Sequence, residues 1–218
     1  MSSKDPILGH QIQQLLIKHN LENPTNSNVS NWQDENYRNK LIQQYGEFLN
    51  NLGLDITNPS IAKTPSRVIN FLINESFYGL DYNNFPRISS NENIYKYTAP
   101  LYSNNITVHS TCEHHLVSII GEAKIAYIPK DNIVGLSKIN RVVDFFAKRP
   151  QVQERLTRQI LVALQMILGT EDVAVSIEAK HNCIVVRGVK NFNTTNSTFA
   201  FGGEFLVNDG LKNTFFQN

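Results

Sequence analysis

The sequence has little cysteine: only Cys112 and Cys183 occur among its 218 residues. Two cysteines cannot build the kind of disulfide framework that staples small secreted domains. Both lie close to histidines, since His114 and His115 follow Cys112, and His181 precedes Cys183. This arrangement favours metal-bound thiolates in a reducing compartment, and two buried free thiols are the alternative interpretation.

The chain also lacks an excess of charge of either sign and any long apolar run. Lysine and arginine total 20, and aspartate and glutamate total 19, which gives a formal net charge of +1. No bulk field therefore favours nucleic acid or an acidic membrane surface as a partner, and any anion site must be local. No stretch approaches the length of a membrane span, and the first twenty residues contain no continuous apolar run. We therefore expect a soluble, cytoplasmic protein with one main domain.

Against this background, one short stretch concentrates metal-binding side chains. Cys112 and His115 are three residues apart, so a tight turn can direct both side chains at one ion. Cys183, at the predicted start of a later strand, would be a third ligand. Three protein ligands leave the fourth tetrahedral position open for water, which is typical of catalytic rather than structural zinc.

The first part of the chain is predicted to be helical. Apolar residues recur at helical spacing over 7–16, 34–52 and 64–77, and the polar stretch 20–30 indicates a linker. A segment rich in Asn, Ser and Pro then indicates a surface connection. We assign residues 1–93 to a helical N-terminal arm.

The remainder, 94–218, is predicted to form the catalytic domain. Its pattern predicts strands, then two helices, then further strands. The predicted strands are 95–99, 106–112, 116–128, 173–179, 183–189 and 199–207. The predicted helices are 137–148, which Ser137 can cap, and 150–168. This order indicates an α+β fold in which two helices cover one face of an antiparallel sheet.

Several short motifs occur together in this sequence: TPSR at 64–67, STCEHH at 110–115, GLSKINR at 135–141, RPQVQERLT at 149–157 and HNC at 181–183. In this order and spacing, the set resembles the GTP cyclohydrolase I family from about residue 36 to 205. The resemblance implies the tunnelling fold, in which subunits join their sheets into rings and two rings stack as a homodecamer. It also implies hydrolysis of GTP to 7,8-dihydroneopterin triphosphate and formate, the entry to tetrahydrofolate and other pterins.

The resemblance also assigns the metal ligands and the catalytic histidines. It implies one Zn²⁺ per subunit, bound by Cys112, His115 and Cys183, which would make water nucleophilic near neutral pH. By the same resemblance, His114 protonates the purine ring nitrogen during attack at C8, and His181 assists opening of the ribose ring. Imidazole suits both roles because it titrates near neutral pH. The alternative is that one of these histidines only hydrogen-bonds a metal ligand.

The remaining assignments concern substrate binding. The resemblance places Glu154 under the guanine, where its carboxylate accepts hydrogen bonds from N1 and the exocyclic amine, with Gln153 assisting. Spacing alone instead favours an exposed pair between Glu154 and Arg158. The resemblance places Ser137 near the ribose-derived chain, and it implies four cations around the triphosphate: Lys138, Arg141, Arg187 and Arg67. In the family Arg67 reaches a site built mainly by other subunits, so oligomerisation would be a condition of activity.

Two other classes of protein are alternatives to this family. A related tunnelling-fold enzyme, either a zinc lyase or a nitrile reductase, would use histidine ligands or a free reactive cysteine. Both cysteines here are assigned to the metal. A ring-forming zinc or nucleotide-binding protein without turnover is the non-enzymatic alternative. The sequence departs from the family pattern at Asn182 and over 193–197, which affects the expected shape of the pocket wall.

Overall fold

The computed structural model describes residues 4–217. Its α-helices are α1 (Pro6–Lys18), α2 (Glu35–Asn51), α3 (Thr64–Phe71), α4 (Leu136–Ala147), α5 (Gln153–Leu168), α6 (Asn182–Val185), α7 (Glu204–Val207) and α8 (Asp209–Gln217). Its strands are β1 (Ser90–Glu92), β2 (Leu101–Cys112), β3 (Ser118–Tyr127), β4 (Asn132–Val134), β5 (Pro150–Gln151), β6 (Val173–His181) and β7 (Asn196–Phe201). Shorter 3₁₀ turns span Ser27–Gln33, Tyr78–Leu80 and Tyr82–Asn84, and a π-helical turn spans Leu72–Ser76.

A five-stranded sheet organises the chain, in the order β5-β2-β3-β6-β7. The long strands pair antiparallel, and only the short β5 runs parallel to β2. Helices α4 and α5 lie between β3 and β6 in sequence and bury their apolar stripes in one core with the sheet. The expected α+β architecture, an antiparallel sheet with two helices on one face, is therefore confirmed.

The N-terminal helices are also present where periodicity predicts them. Asp34 caps α2, because its side chain accepts hydrogen bonds from the backbone N–H groups of Asn36 and Tyr37. In α1, Ile12 and Leu16 are fully buried in the same core as the sheet and its covering helices. Within residues 4–217, no helix is long and apolar enough to cross a membrane.

Three of the predicted strands are wrong in whole or in part. Residues 95–99 form a loop, because Asn93 bonds both the N–H and the carbonyl of Tyr97 through its side chain. Residues 183–189 form α6 and a loop, because His181 already pairs with Ile119 near the start of β3 and leaves no partner strand beyond it. The predicted strand 199–207 ends at Phe201, after which the chain turns into α7.

Two predicted helix starts are also wrong. Residues 150–151 form β5, which pairs with the end of β2, so α5 begins only at Gln153. Helix α4 begins at Leu136 after Gly135, and no side chain caps it. Ser137 therefore does not have the predicted capping role, because it already lies inside the first turn of α4.

A buried arginine joins residues of the predicted N-terminal arm to the remainder of the chain. Arg149 is 0 % exposed, lies 3.5 Å from Glu22 Oε1 and donates 3.2 Å hydrogen bonds to Asn23 Oδ1 and Tyr82 Oη. It also donates to the carbonyl of Gly79. A charge removed from water in this way is tolerated only when it is paired and hydrogen-bonded, so these contacts hold the arm in place.

Replacing Arg149 with methionine is expected to lower the free energy of unfolding by about 3 kcal/mol, because it leaves the mostly buried Glu22 carboxylate without its cation. Urea denaturation at fixed protein concentration measures the change. Lys212→Met is the control, since its partner Asp209 is exposed and the pair is worth less than about 1 kcal/mol. Equal urea midpoints for Arg149→Met and the parent protein would contradict the structural role.

Candidate active site

The turn after β2 places two of the predicted metal ligands. Cys112 ends the strand, and its N–H donates to the carbonyl of Val117 at 2.8 Å, while the N–H of Leu116 donates back to the carbonyl of Cys112 at 2.9 Å. Leu116 has φ +51°, a left-handed conformation that closes the turn. The turn therefore carries His115 back toward Cys112.

The third predicted ligand arrives from the far end of β6. His181 is the last residue of that strand, and Cys183 follows in α6. One possible ligand atom from each of Cys112, His115 and Cys183 lies within 4.8 Å of the other two. The structure thus brings together the three residues that the sequence predicts as ligands.

The donor set suits a divalent cation. Burial raises the pKa of the Cys183 thiol, and the neighbouring Cys112 thiol raises it further. A bound cation would offset both effects by stabilising the thiolates. Two sulfur donors and one imidazole form a soft to intermediate ligand set. Among common divalent ions, zinc is one that such a set suits. Beside these three residues, Arg187 donates a hydrogen bond to His115 Nε2.

His181 is held by a buried glutamine. Gln153 is 3 % exposed, and its Nε2 donates at 2.9 Å to the backbone carbonyls of Ile177 and Asn196. Carbonyls only accept, so Gln153 Oε1 is the atom that faces His181 Nε2 at 2.7 Å, and the imidazole donates this bond. The side chain of Gln153, expected to assist base binding, is engaged within the chain here.

Burial lowers the pKa of His181, and the negative charge of Glu154 opposes this shift. Lowering favours the neutral imidazole near neutral pH, so His181 is poised to take up a proton rather than to carry a fixed charge. Glu154 lies exposed in the first turn of α5 and lines a cavity of about 330 Å³ with Gln153, His181 and residues 196–198. No ion pair joins Glu154 to Arg158 in residues 4–217, so its carboxylate faces this cavity without that partner.

His114 belongs to the turn at residues 112–116, named the metal turn after its two candidate ligands. Its Nδ1 is 3.8 Å from Cys112 Sγ, and its side chain is 64 % exposed. It lines a second cavity, of about 360 Å³, together with Asn23, Pro24 and Thr25 of the arm. His109 is exposed on β2, and strand parity directs it away from Cys112, as expected.

Ser137 and three of the predicted phosphate-binding cations are not part of this group in the single chain. Ser137, Lys138 and Arg141 lie on α4, and Arg67 lies on α3. Arg141 lines a separate cavity with Lys4, Asn74 and Asp144. Across the described chain, no hydrogen bond or ion pair links these four side chains to the metal turn.

Comparison with known proteins decides the family. A family model described as GTP cyclohydrolase I matches residues 41–218. This chain belongs to the GTP cyclohydrolase I family. GTP cyclohydrolase 1 of Erwinia tasmaniensis is 45% identical over 207 residues, covering 95% of this chain and 94% of the relative. GTP cyclohydrolase 1 of Klebsiella pneumoniae is 43% identical over 215 residues, covering 99% and 96%.

Among solved structures, the archaeosine synthase QueF-Like in its apo form aligns with a TM-score of 0.39 and 16% identity. The alignment covers 49% of this chain and 94% of that one. The family assignment rests on the sequence relatives and the family model instead.

For this member of the GTP cyclohydrolase I family, sequence reasoning missed one charged pair beside the metal turn. Arg155 Nη2 lies 2.5 Å from Glu113 Oε2. The two residues are far apart in sequence, so neither periodicity nor local spacing indicates their contact. The presence of a carboxylate inside the ligand-bearing STCEHH motif was the one available signal.

Proposed function

We propose that this chain is a zinc-dependent GTP cyclohydrolase I. It hydrolyses GTP to 7,8-dihydroneopterin triphosphate and formate, the first step of tetrahydrofolate and pterin biosynthesis. One observation carries the proposal: Cys112, His115 and Cys183 converge at the end of the sheet where His181 and Glu154 line a cavity. Membership in the family gives the substrate and the reaction.

The chemistry requires a nucleophile at C8 of guanine and proton transfer to the opening ring. Zinc bound by Cys112, His115 and Cys183 would act as a Lewis acid that makes water nucleophilic near neutral pH. His114, exposed beside that group, donates a proton to the purine ring nitrogen. His181 assists ribose opening, and its bond from Nε2 to Gln153 leaves Nδ1 as the atom that accepts a proton.

Substrate selection is assigned to Glu154 and to the cations. The Glu154 carboxylate accepts hydrogen bonds from N1 and the exocyclic amine of guanine. A triphosphate needs concentrated positive charge, which a nearly neutral chain must supply locally. Lys138, Arg141, Arg187 and Arg67 supply it, and Ser137 contacts the ribose-derived chain.

The dispersal of these cations supports a site shared between subunits. Arg67 and Arg141 lie apart from the metal group in a single chain, as described above. Among residues 4–217, strand β7 is one edge of the sheet, and β2 is covered at the other edge only where β5 pairs with Thr111 and Cys112. Unpaired edges can join neighbouring sheets. We therefore propose a homo-oligomer, a decamer by resemblance to the family, with sites at the subunit interfaces.

Two individually inactive variants test the shared site. Co-expression of Arg67→Ala with Cys183→Ala is expected to restore about one quarter of parental turnover, because random assembly of two chains leaves that share of interface sites intact. Purification through two different affinity tags isolates the mixed oligomers. No recovery above either variant alone would contradict a site built from more than one subunit.

Turnover itself is tested by incubating metal-analysed protein with GTP. Formate and the near-ultraviolet absorbance of a dihydropterin are expected to appear together and to be lost after chelation. ATP, which lacks the donors that Glu154 binds, is the matched control and should yield neither product. Tight GTP binding with neither product would instead indicate a nucleotide-binding protein without turnover.

A further inference from the structure

An ion pair anchors the turn that carries the metal ligands. Arg155 Nη2 donates to Glu113 Oε2 at 2.5 Å and to the carbonyl of Pro150 at 3.1 Å. Its Nε donates to Gln151 Oε1 at 3.0 Å. The side chains of Arg155 and Glu113 are only 15% and 26% exposed. Charge-assisted bonds that are largely withdrawn from water are both strong and directional.

Glu113 stands between the ligands Cys112 and His115, so whatever holds Glu113 also holds the turn. Its backbone N–H donates to the carbonyl of Gln151 at 3.0 Å. Its other carboxylate oxygen, Oε1, lies 3.9 Å from Nε2 of His114. Because Arg155 engages Oε2, the carboxylate is kept from rotating freely toward the imidazole.

The arm fixes the orientation of this pair through two buried amides. Gln159 is 0% exposed, and its Nε2 donates to the carbonyl of Leu21 at 2.6 Å and to Asn23 Oδ1 at 3.0 Å. Both hydrogens of that amide are thereby used, and Gln159 Oε1 accepts from Gln151 Nε2 at 2.7 Å. Gln151 must then present its Oε1 to Arg155, so one amide orientation sets the next.

We propose that Arg155 is a positioning residue that holds Glu113, and with it the Cys112–His115 turn, in the geometry needed for metal binding and for proton donation by His114. The proposal rests on the proposed function, because the turn that Arg155 holds carries two of the proposed zinc ligands and the proposed proton donor. The arm residues Leu21 and Asn23 extend the same network. Mutation of residues that hydrogen-bond around metal ligands in this way typically lowers metal affinity or activity by about 10–100-fold.

Cobalt binding tests the role without requiring turnover. Apo protein is titrated with Co²⁺, and the visible ligand-field bands of the cobalt–thiolate centre are recorded. Arg155→Met and Glu113→Gln are each expected to weaken Co²⁺ binding by about tenfold and to shift these bands. Arg158→Met, an exposed arginine on the same helix, should match the parent protein in both readouts.

Kinetics at saturating metal provide the second readout. We expect kcat to fall about tenfold in Arg155→Met while KM for GTP stays within about twofold, because the substrate-binding groups are untouched. Arg155→Lys should recover part of the loss, since it keeps the charge but not the fork of three bonds. The double variant Arg155→Met/Glu113→Gln should lose no more kcat than the more impaired single variant, because each substitution removes the same interaction.

Each outcome separates the two proposals. A parent protein that binds Co²⁺ but makes no formate would overturn the proposed function, and the cobalt titration would still decide the role of Arg155. Parental spectra and kcat in Arg155→Met would overturn the positioning role alone. The positioning role would also be overturned if the effects of Arg155→Met and Glu113→Gln multiply in the double variant, or if Arg155→Met changes KM alone. A parent protein that binds no Co²⁺ would overturn it as well.

Discussion

Replacing Cys183 with alanine is expected to remove bound zinc and to lower turnover of GTP by about a thousandfold. Within residues 4–217, the candidate metal site brings together three possible ligands, Cys112, His115 and Cys183. Loss of one thiolate leaves two donors, too few to hold the ion at low free-metal concentration. Lewis-acid assistance is worth several kcal/mol of barrier, and each 1.36 kcal/mol is tenfold in rate, which gives about that loss.

Metal analysis by mass spectrometry and formate release measure the two effects in one sample. Val189→Ala is the control, because Val189 lies in the loop that follows α6 and is 81% exposed. It should retain parental zinc and turnover. A zinc-free Cys183→Ala protein with parental formate release would rule out a metal-dependent mechanism.

Replacing Glu154 with alanine is expected to preserve the metal but to remove the preference for guanine. Its carboxylate is exposed to a cavity with His181 and has no cation partner within residues 4–217. A carboxylate that accepts from N1 and the exocyclic amine favours GTP over ITP, which lacks the amine. Loss of two charge-assisted hydrogen bonds should lower kcat/KM for GTP by about a hundredfold to a thousandfold.

The ratio of kcat/KM for GTP to that for ITP is the measurement that isolates this role. It should approach unity in Glu154→Ala while zinc content is unchanged. Glu171→Ala is the matched control, since Glu171 is exposed just before β6, at the opposite end of that strand from His181. An unchanged ratio in Glu154→Ala would show that another group reads the base.

The convergence of Cys112, His115 and Cys183 was predictable because its determinants are local. The spacing of Cys112 and His115 requires only a turn, and a cysteine beside a histidine marks the second contribution. The helices that cover the sheet were predictable for a similar reason, since apolar periodicity records which face is buried. The family resemblance then supplied roles that spacing alone does not contain.

Other features depend on contacts that the sequence pattern does not encode. The segment 183–189 has strand composition, yet no neighbouring strand among residues 4–217 remains to pair with it, so it forms part of α6 and a loop. Asn93 folds the predicted strand 95–99 into a loop through side-chain bonds to Tyr97. The contacts of Arg149 with Glu22 and of Arg155 with Glu113 join polar residues that are distant in sequence. Such pairs appear only when the fold is known.

The phosphate-binding role of the cations is a prediction that the structure of a single chain does not test. Their assignment to Lys138, Arg141, Arg187 and Arg67 comes from the resemblance, and among these four only Arg187 contacts a candidate metal ligand within residues 4–217. A site completed by neighbouring copies cannot be assembled from a single chain by any pattern of spacing. These roles stay predictions, which the mixed-oligomer experiment addresses.

The central claim is that this protein opens the imidazole ring of GTP and expels C8. Incubation with GTP labelled with carbon-13 at C8, followed by carbon-13 NMR of the products, tests it most directly. We expect the label to leave as formate, in step with dihydropterin formation, and chelator-treated protein to release none. Label retained in the nucleotide product while GTP is consumed would contradict it.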